Sequence, residues 1–306
     1  MSKRVAIIDL GTNTCNLLIA KYEGQYHQIL FQGKEVVKLG KNGIDKNMLD
    51  DDGLERAIQA IRNLQERIAQ YDVSETIVLG TSAIREAKNQ AWFQNELERR
   101  TGITLQIISG EKEADLIYKG VKLAFGYIED QSIILDIGGG SNELILTQAG
   151  EPVWKQSYPL GMARTISQIP PSDPITQDEV NQITSYFESG LDSLWKRTKG
   201  FENNSLIGCS GAFDSLADLI DETEPGTKIR VRQEVKISDF ERIYHLLLNS
   251  TTAERENMKG LESLRIEMIV PSVILIKLIV DRLKIQKIHQ TDYALREGIL
   301  YELIFS

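Results

Sequence analysis

A chain of 306 residues exceeds what one hydrophobic core usually serves, and 42% apolar with 26% charged residues reads as a soluble protein of two domains. Its net charge of -9 excludes a surface that attracts nucleic acid or anionic lipid, so an anionic ligand needs a local basic site working against the global field. Two cysteines, Cys15 and Cys209, exclude a disulfide framework and a zinc site built of thiols alone. The most apolar stretch, residues 268–280, falls short of the roughly 20 residues of a membrane span and reads as a buried helix. The apolar run at the start is too short for a signal peptide, so the cytoplasm is the expected location.

In chain order, residues 5–8 and 17–22 read as strands joined by the turn Gly-Thr-Asn-Thr. Leu54, Ala57, Ile58, Ile61, Leu64 and Ile68 recur at helical spacing and predict an amphipathic helix over 54–71. A short strand at 76–79 precedes a helix at 92–100 that stops at Gly102. After a strand at 105–108, Ser109 is placed to cap a helix running from Glu111. Strands at 132–136 and 143–147 flank a second glycine turn, and 176–197 reads as helix. A strand at 206–208 feeds Gly211 and a helix over 213–220, and the remainder reads as mainly helical. The proline-rich 170–174 stretch is a surface loop.

An internal repeat organises these elements. Residues 8–19 align without gaps on 135–146, placing Asp9 on Asp136, Gly11 on Gly138, Thr14 on Ser141 and Leu17 on Leu144. Both copies read strand, acid, glycine turn, hydroxyl, strand. Two related domains facing a cleft follow, spanning 1–125 and 126–306, with a final helix over about 295–306 packing back toward the first.

The second turn is the richer in chemistry. Gly138, Gly139 and Gly140 let the backbone approach a ligand closely, and successive N–H groups can form an anion nest. The Ser141 hydroxyl can add a donor. A carboxylate at Asp136 beside bound phosphate calls for a cation, and Mg2+ bridging carboxylate and phosphate oxygens meets that need, with Glu143 as a second carboxylate. The first turn, Gly11, Thr12, Asn13 and Thr14, repeats the logic with hydroxyls in place of two glycines. Neither turn has P-loop or dinucleotide-fold spacing, and each leads into a strand.

The two turns, Thr81-Ser-Ala-Ile-Arg-Glu-Ala-Lys-Asn89, Ser109-Gly-Glu-Lys-Glu-Ala114 and Leu295-Arg-Glu-Gly-Ile-Leu300 occur in the order of one family. The whole chain resembles the exopolyphosphatase / guanosine pentaphosphate phosphatase (Ppx/GppA) family. The resemblance implies two ribonuclease-H-like domains of the actin-like ATPase superfamily. It also implies Glu113 as the base that activates water, Arg85 as an arginine reaching substrate phosphate, Asp136 and Glu143 as ligands of Mg2+ or another divalent cation, and residues 11–14 and 138–141 as phosphate loops. Gly208-Cys-Ser-Gly211 resembles the motif at the adenosine site of the superfamily's kinases. Arg164, Arg265 and Arg296 are further candidates for a basic channel. Glu111, two residues from Glu113, would point to another side of its helix.

The chain departs from the family at Asn142, where threonine is usual, at Cys15 and Asn16, and in the run Ala212-Phe213-Asp214. Long family members continue into further domains, and a chain without them favours short polyphosphates. The expected activity is hydrolysis of terminal phosphate from polyphosphate. The alternatives are guanosine pentaphosphate as substrate, or a non-catalytic sensor of polyphosphate or phosphorylated guanine nucleotide. No sequence-specific nucleic acid or membrane partner is expected, and a homodimer is compatible with this reading. Cys15 and Cys209 each neighbour a ligand loop, so thiol modification is expected to inhibit by bulk.

Overall fold

The computed structural model describes residues 2–41, 43–128, 131–201 and 205–305. It divides into two compact units, Met1–Leu123 with Ala294–Ser306, and Ala124–Tyr293.

The first unit opens with an antiparallel meander, β1 (Lys3–Leu10), β2 (Thr14–Glu23) and β3 (Tyr26–Val36). Helix α1 (Asp51–Ile68) follows, started by the Asp50 side chain accepting from the Gly53 N–H at 2.7 Å. Leu54, Ala57, Ile58, Ile61 and Leu64 of α1 pack with Ala6, Ile8, Leu17 and Ile19 in one core. Strand β4 (Glu75–Gly80) then runs parallel to β1. After the single turn α2 (Ser82–Arg85) and helix α3 (Gln90–Thr101), ended by Gly102 in the left-handed conformation, β5 (Gln106–Ile107) pairs parallel with β4. The sheet order is β3-β2-β1-β4-β5. Helix α4 (Gly110–Phe125) closes this segment. Ser109 Oγ accepts from the Lys112 N–H at 3.1 Å, the capping role expected of it.

The second unit repeats the plan. β6 (Gln131–Ile137), β7 (Asn142–Gln148) and β8 (Glu151–Tyr158) form a meander. Helices α5 (Met162–Gln168), α6 (Gln177–Gly190) and α7 (Asp192–Arg197) lead to β9 (Ser205–Cys209), parallel to β6. Helix α8 (Gly211–Asp221), edge strand β10 (Gln233–Val235), α9 (Ile237–Leu248) and α10 (Thr252–Glu256) follow. A 3-10 turn, Ser263–Arg265, precedes α11 (Ile269–Arg282) and β11 (Lys287–Thr291), which is parallel to β9. The sheet order, read from its meander, is β8-β7-β6-β9-β11-β10. Five strands thus take the same 3-2-1-4-5 order in each unit, the ribonuclease-H-like arrangement expected from the repeat, and β10 adds an antiparallel edge to the second.

The last helix, α12 (Leu295–Phe305), belongs to the first unit and packs on β1 and β2. It also crosses α4 at close range. A methyl at Gly298 would overlap the Leu116 carbonyl, and one at Gly120 the Ala294 carbonyl. The apolar stretch around 268–280 is α11, buried along most of its length, and among the described residues no helix is long and apolar enough to cross a membrane.

Several elements depart from the sequence reading. β3 and β8 were not anticipated, because each is half-exposed and polar. The stretch beyond 220 is not all helix. β11 carries a fully buried Gln290, whose amide donates to Asp214 and Asp292 at 2.9 and 2.7 Å, so its inward face is polar. The single helix expected over 176–197 breaks at Leu191, next to Gly190, which packs against the Leu160 side chain.

Candidate functional site

In the first unit the acid-glycine turn lies between β1 and β2. The Gly11 N–H closes it by donating to the Thr14 carbonyl at 2.9 Å. The segment after β3 then takes the outer carbonyls: Val37 and Lys38 N–H donate to Asn13, and Leu39 N–H donates to Thr12 at 2.7 Å. With the Thr12 and Asn13 C=O groups held on that side, the peptide N–H groups of residues 13 and 14 face the other way, as planar trans peptides require. Asn16, the register partner of Asp9, donates its amide to Thr14 Oγ1 at 3.1 Å and Asp9 Oδ2 at 3.4 Å. That gives this departure from the family a defined role, tying the acid to the turn.

Asp9 itself is charged at a cost. The residue keeps some exposure, but its Oδ1 is sealed from solvent without a hydrogen-bond partner. Burial pushes its carboxyl up to about 6, opposed by Arg296 and the Asn16 amide and reinforced by Glu297. Arg296 comes from α12, donates to the Leu17 carbonyl at 3.2 Å and lies 3.6 Å from the fully buried Glu297. Arg296 therefore serves the Asp9 end of this sheet.

The structure brings Arg85 and Glu113 together. Arg85 follows β4 on the one-turn α2, and Glu113 sits in the first turn of α4. The guanidinium Nη1 donates to Glu113 Oε2 at 2.5 Å, and both side chains are largely buried. Arg85 also contacts Glu86 Oε1 at 3.2 Å. Neither side chain is an ordinary solvated helix residue. Glu111 is exposed, on another side of α4, as its spacing predicts.

In the second unit Gly138 N–H donates to the Ser141 carbonyl at 3.0 Å, closing the matching turn. Here the N-terminal end of α5 holds the carbonyls. Met162 N–H donates to Gly138 at 3.0 Å, Ala163 N–H to Gly139 at 2.8 Å, and Arg164 Nε to Gly140 at 3.0 Å. Gly161 lies so close to this loop that a methyl would overlap the Gly139 and Gly140 backbone. Arg164 is thus buried support for the loop, not part of an exposed basic channel. Two details correct the sequence reading. The Gly11 and Gly138 amides close their own turns, so the outward N–H groups belong to residues 13 and 14 and to residues 139–141. Ser141 donates its hydroxyl to Glu143 Oε1 at 2.7 Å, so its side chain is engaged with the carboxylate.

Asp136 and Glu143 are register partners on β6 and β7, buried at 7% and 2% exposure. Cross-strand partners project from the same face, so the two carboxylates are neighbours. Glu143 Oε1 also accepts from Ser157 Oγ at 2.6 Å, and Asp136 Oδ2 accepts from Ser210 Oγ at 2.7 Å. Asn142 anchors the start of β7 by donating to the Leu160 carbonyl at 2.7 Å. Arg265 lies with its guanidinium against Gly211, at the start of α8, and its Nε is buried without a partner. The sequence motifs do not single out Ser157 or the 161–163 segment, of which only Gly161 leaves a local trace, a glycine just ahead of a helix; Ser210 enters them only within Gly208-Cys-Ser-Gly211, with no link to Asp136.

Both thiols are fully buried. Burial pushes Cys15 well up, helped by Asp9 and Glu35, and does the same to Cys209, helped by Asp136, Asp214 and Glu143. Neither is presented to a thiol reagent in the folded state, contrary to the expected inhibition by bulk.

A family model described as the Ppx/GppA phosphatase family matches residues 18–306. The crystal structure of an exopolyphosphatase from Cytophaga hutchinsonii superposes with a TM-score of 0.92 at 32% identity, covering 99% of this chain and 98% of that one. Exopolyphosphatase 1 of Mycobacterium leprae is 24% identical over 299 residues, 97% of this chain and 88% of the relative. The guanosine-5'-triphosphate,3'-diphosphate pyrophosphatase of Pseudoalteromonas atlantica is 27% identical over 304 residues, 98% of this chain and 58% of the relative.

Proposed function

This chain belongs to the Ppx/GppA phosphatase family and is a phosphoanhydride hydrolase, and from that premise we propose that its substrate is inorganic polyphosphate, whose terminal phosphate it releases by attack of water. The observation that carries the reading is the second unit's turn. Its carbonyls are engaged by the α5 end, so its N–H groups are turned outward beside two buried carboxylates. A nest of donors attracts phosphate oxygens, whereas adjacent carboxylates repel them, and the pair becomes productive only with a cation.

The donor set fits magnesium. Asp136 and Glu143 offer oxygen alone, and among the described residues no group of three or more acidic, histidine or cysteine side chains gathers. A small hard cation held by two carboxylates and completed by water and phosphate oxygens matches that count. When bound, it would neutralise phosphate charge that builds up as the bond to the leaving oxygen lengthens.

The chain's own residues take the remaining roles. In the second unit the outward N–H groups of residues 139–141 suit phosphate oxygens, and in the first unit those of residues 13 and 14, with the Thr12 and Thr14 hydroxyls, do the same. Arg85 adds positive charge. Glu113 accepts the proton of the attacking water, the terminal P–O anhydride bond breaks, and the shortened polyphosphate leaves with the electron pair. Arg85 occupies one Glu113 oxygen, so substrate phosphate drawing the guanidinium toward itself would release that oxygen for water. The same machinery would serve guanosine pentaphosphate, the second reading, which the Pseudoalteromonas relative's name favours.

The test is phosphate release from polyphosphates of defined length and from guanosine pentaphosphate, with and without Mg2+. Glu113→Gln keeps size and hydrogen-bonding reach but loses the proton acceptor, so turnover should fall about 100- to 10,000-fold. Binding of substrate should persist, and Glu111→Gln should be nearly silent. Equal, slow release by wild type and Glu113→Gln, with intact binding, would favour the sensor reading over the enzyme.

A further inference from the structure

Ser210 joins β9 to α8 with φ 67° and ψ 174°. That backbone region is essentially confined to glycine, because a Cβ is crowded there. A serine at 210 therefore carries strain, and its hydroxyl shows what is obtained in return. Asp136 pairs with Cys209 across the parallel β6–β9 ladder, so Ser210 is the first residue past the end of that pairing. From there its Oγ donates to Asp136 Oδ2 at 2.7 Å. The strain and the hydrogen bond are set by the same torsions.

We propose that Ser210 is a positioning residue: it accepts a strained backbone in order to fix the Asp136 carboxylate for cation binding. The proposal rests on the reading of Asp136 as a magnesium ligand. An aspartate carboxylate can rotate about two side-chain torsions, and a donor on one oxygen selects one orientation. Magnesium demands near-octahedral geometry, so a misaligned ligand binds it poorly. Glu143 receives parallel treatment, with Ser141 and Ser157 both donating to Oε1. Three serines thus orient two carboxylates, and of these Ser210 is the one with a positive φ.

Two substitutions separate strain from function. Ser210→Gly and Ser210→Ala both remove the hydroxyl, but only glycine relieves the backbone. In metal-free buffer, Ser210→Gly should unfold at a higher urea concentration than Ser210→Ala. Equal midpoints would overturn the strain half of the proposal. Mn2+ binding, followed by calorimetry in the presence of inorganic phosphate, should weaken about tenfold or more in both variants, the usual effect of removing a group that orients a metal ligand. A glycine variant more stable than the alanine variant yet equally poor at binding Mn2+ is a pattern no purely structural role produces. Asp136→Asn is the reference. If it binds Mn2+ as wild type does, the metal reading itself fails. If it loses Mn2+ while Ser210→Gly binds at wild-type strength, the metal reading stands and the positioning role is overturned.

Discussion

Asp9 gives a stability prediction that can be worked through from its surroundings. Its carboxyl is pushed up to about 6 in the folded chain from an ordinary value of 3.8, with burial as the leading cause. A raised carboxyl is favoured in its protonated form, so the native state gains relative stability at low pH. No penalty applies below the unfolded value of 3.8. The penalty grows as pH rises through the window from 3.8 to about 6 and is complete above it. At 1.36 kcal/mol per unit, the shift corresponds to about 3 kcal/mol, a ceiling because Asp9 keeps some solvent contact. Asp9→Asn removes this titration while its carbonyl still accepts from Asn16. The new amide N–H2 then replaces an oxygen that had no partner. That orphaned donor costs about 1–3 kcal/mol at every pH, so the absolute change at one pH is uninformative. The informative quantity is the difference in unfolding free energy between variant and wild type across pH. Urea unfolding in metal-free buffer should show this difference moving in favour of Asp9→Asn by about 2–3 kcal/mol between pH 4 and pH 8. A difference that stays flat would mean that Asp9 is ionised throughout, and the argument from burial would be refuted.

Other outcomes follow from the same geometry. Arg85→Ala strips Glu113 of its ion pair and the substrate of a cation, so kcat/KM should fall about ten- to hundredfold in steady-state phosphate release, in line with about 1.5–3 kcal/mol for hydrogen bonds to charged groups. Wild-type kinetics would remove Arg85 from the site. Gly161→Ala forces a methyl into the Gly139–Gly140 backbone and should lower stability by about 1–3 kcal/mol in urea unfolding while weakening phosphate binding. Cys15 and Cys209 should resist a chromogenic disulfide reagent in the native protein and react promptly in denaturant, and rapid native reaction would contradict their burial.

The repeated turns were legible because their chemistry is local. Acid, glycine and hydroxyl lie within six positions of one another, and the same turn in both copies marks the same place between first and second strands. The amphipathic face of α1 and the stop of α3 at Gly102 were legible for the same reason. What stayed hidden depends on register and on distant pairing. Ser157 matters because β8 places it opposite Glu143, and nothing in a polar, half-exposed strand announces that alignment. Ser210 matters because β9 lies parallel to β6, a neighbour 74 positions away. Arg296 was visible as a basic residue in a recognisable run. Its service to Asp9 follows from α12 folding back onto β1 and β2. Ser141 was read as a donor to phosphate because its hydroxyl proton had no visible competitor until Glu143 was placed 2.7 Å away.

The discontinuity of the first unit has a consequence for how the chain acquires its shape during synthesis. Its sheet, including the turn at 11–14, is translated before the second unit, but α12 comes after Ala124–Tyr293 has been made. At about 5–20 residues per second, on the order of ten to thirty seconds separate the two pieces. Through that interval β1 and β2 lack the helix that packs on them, and Asp9 lacks Arg296, the cation that offsets its burial. The second unit is continuous, so all of its elements, β11 included, are made before α12. The earlier unit should therefore be the one left open through synthesis of the later one, sealed only when α12 reaches β1 and β2.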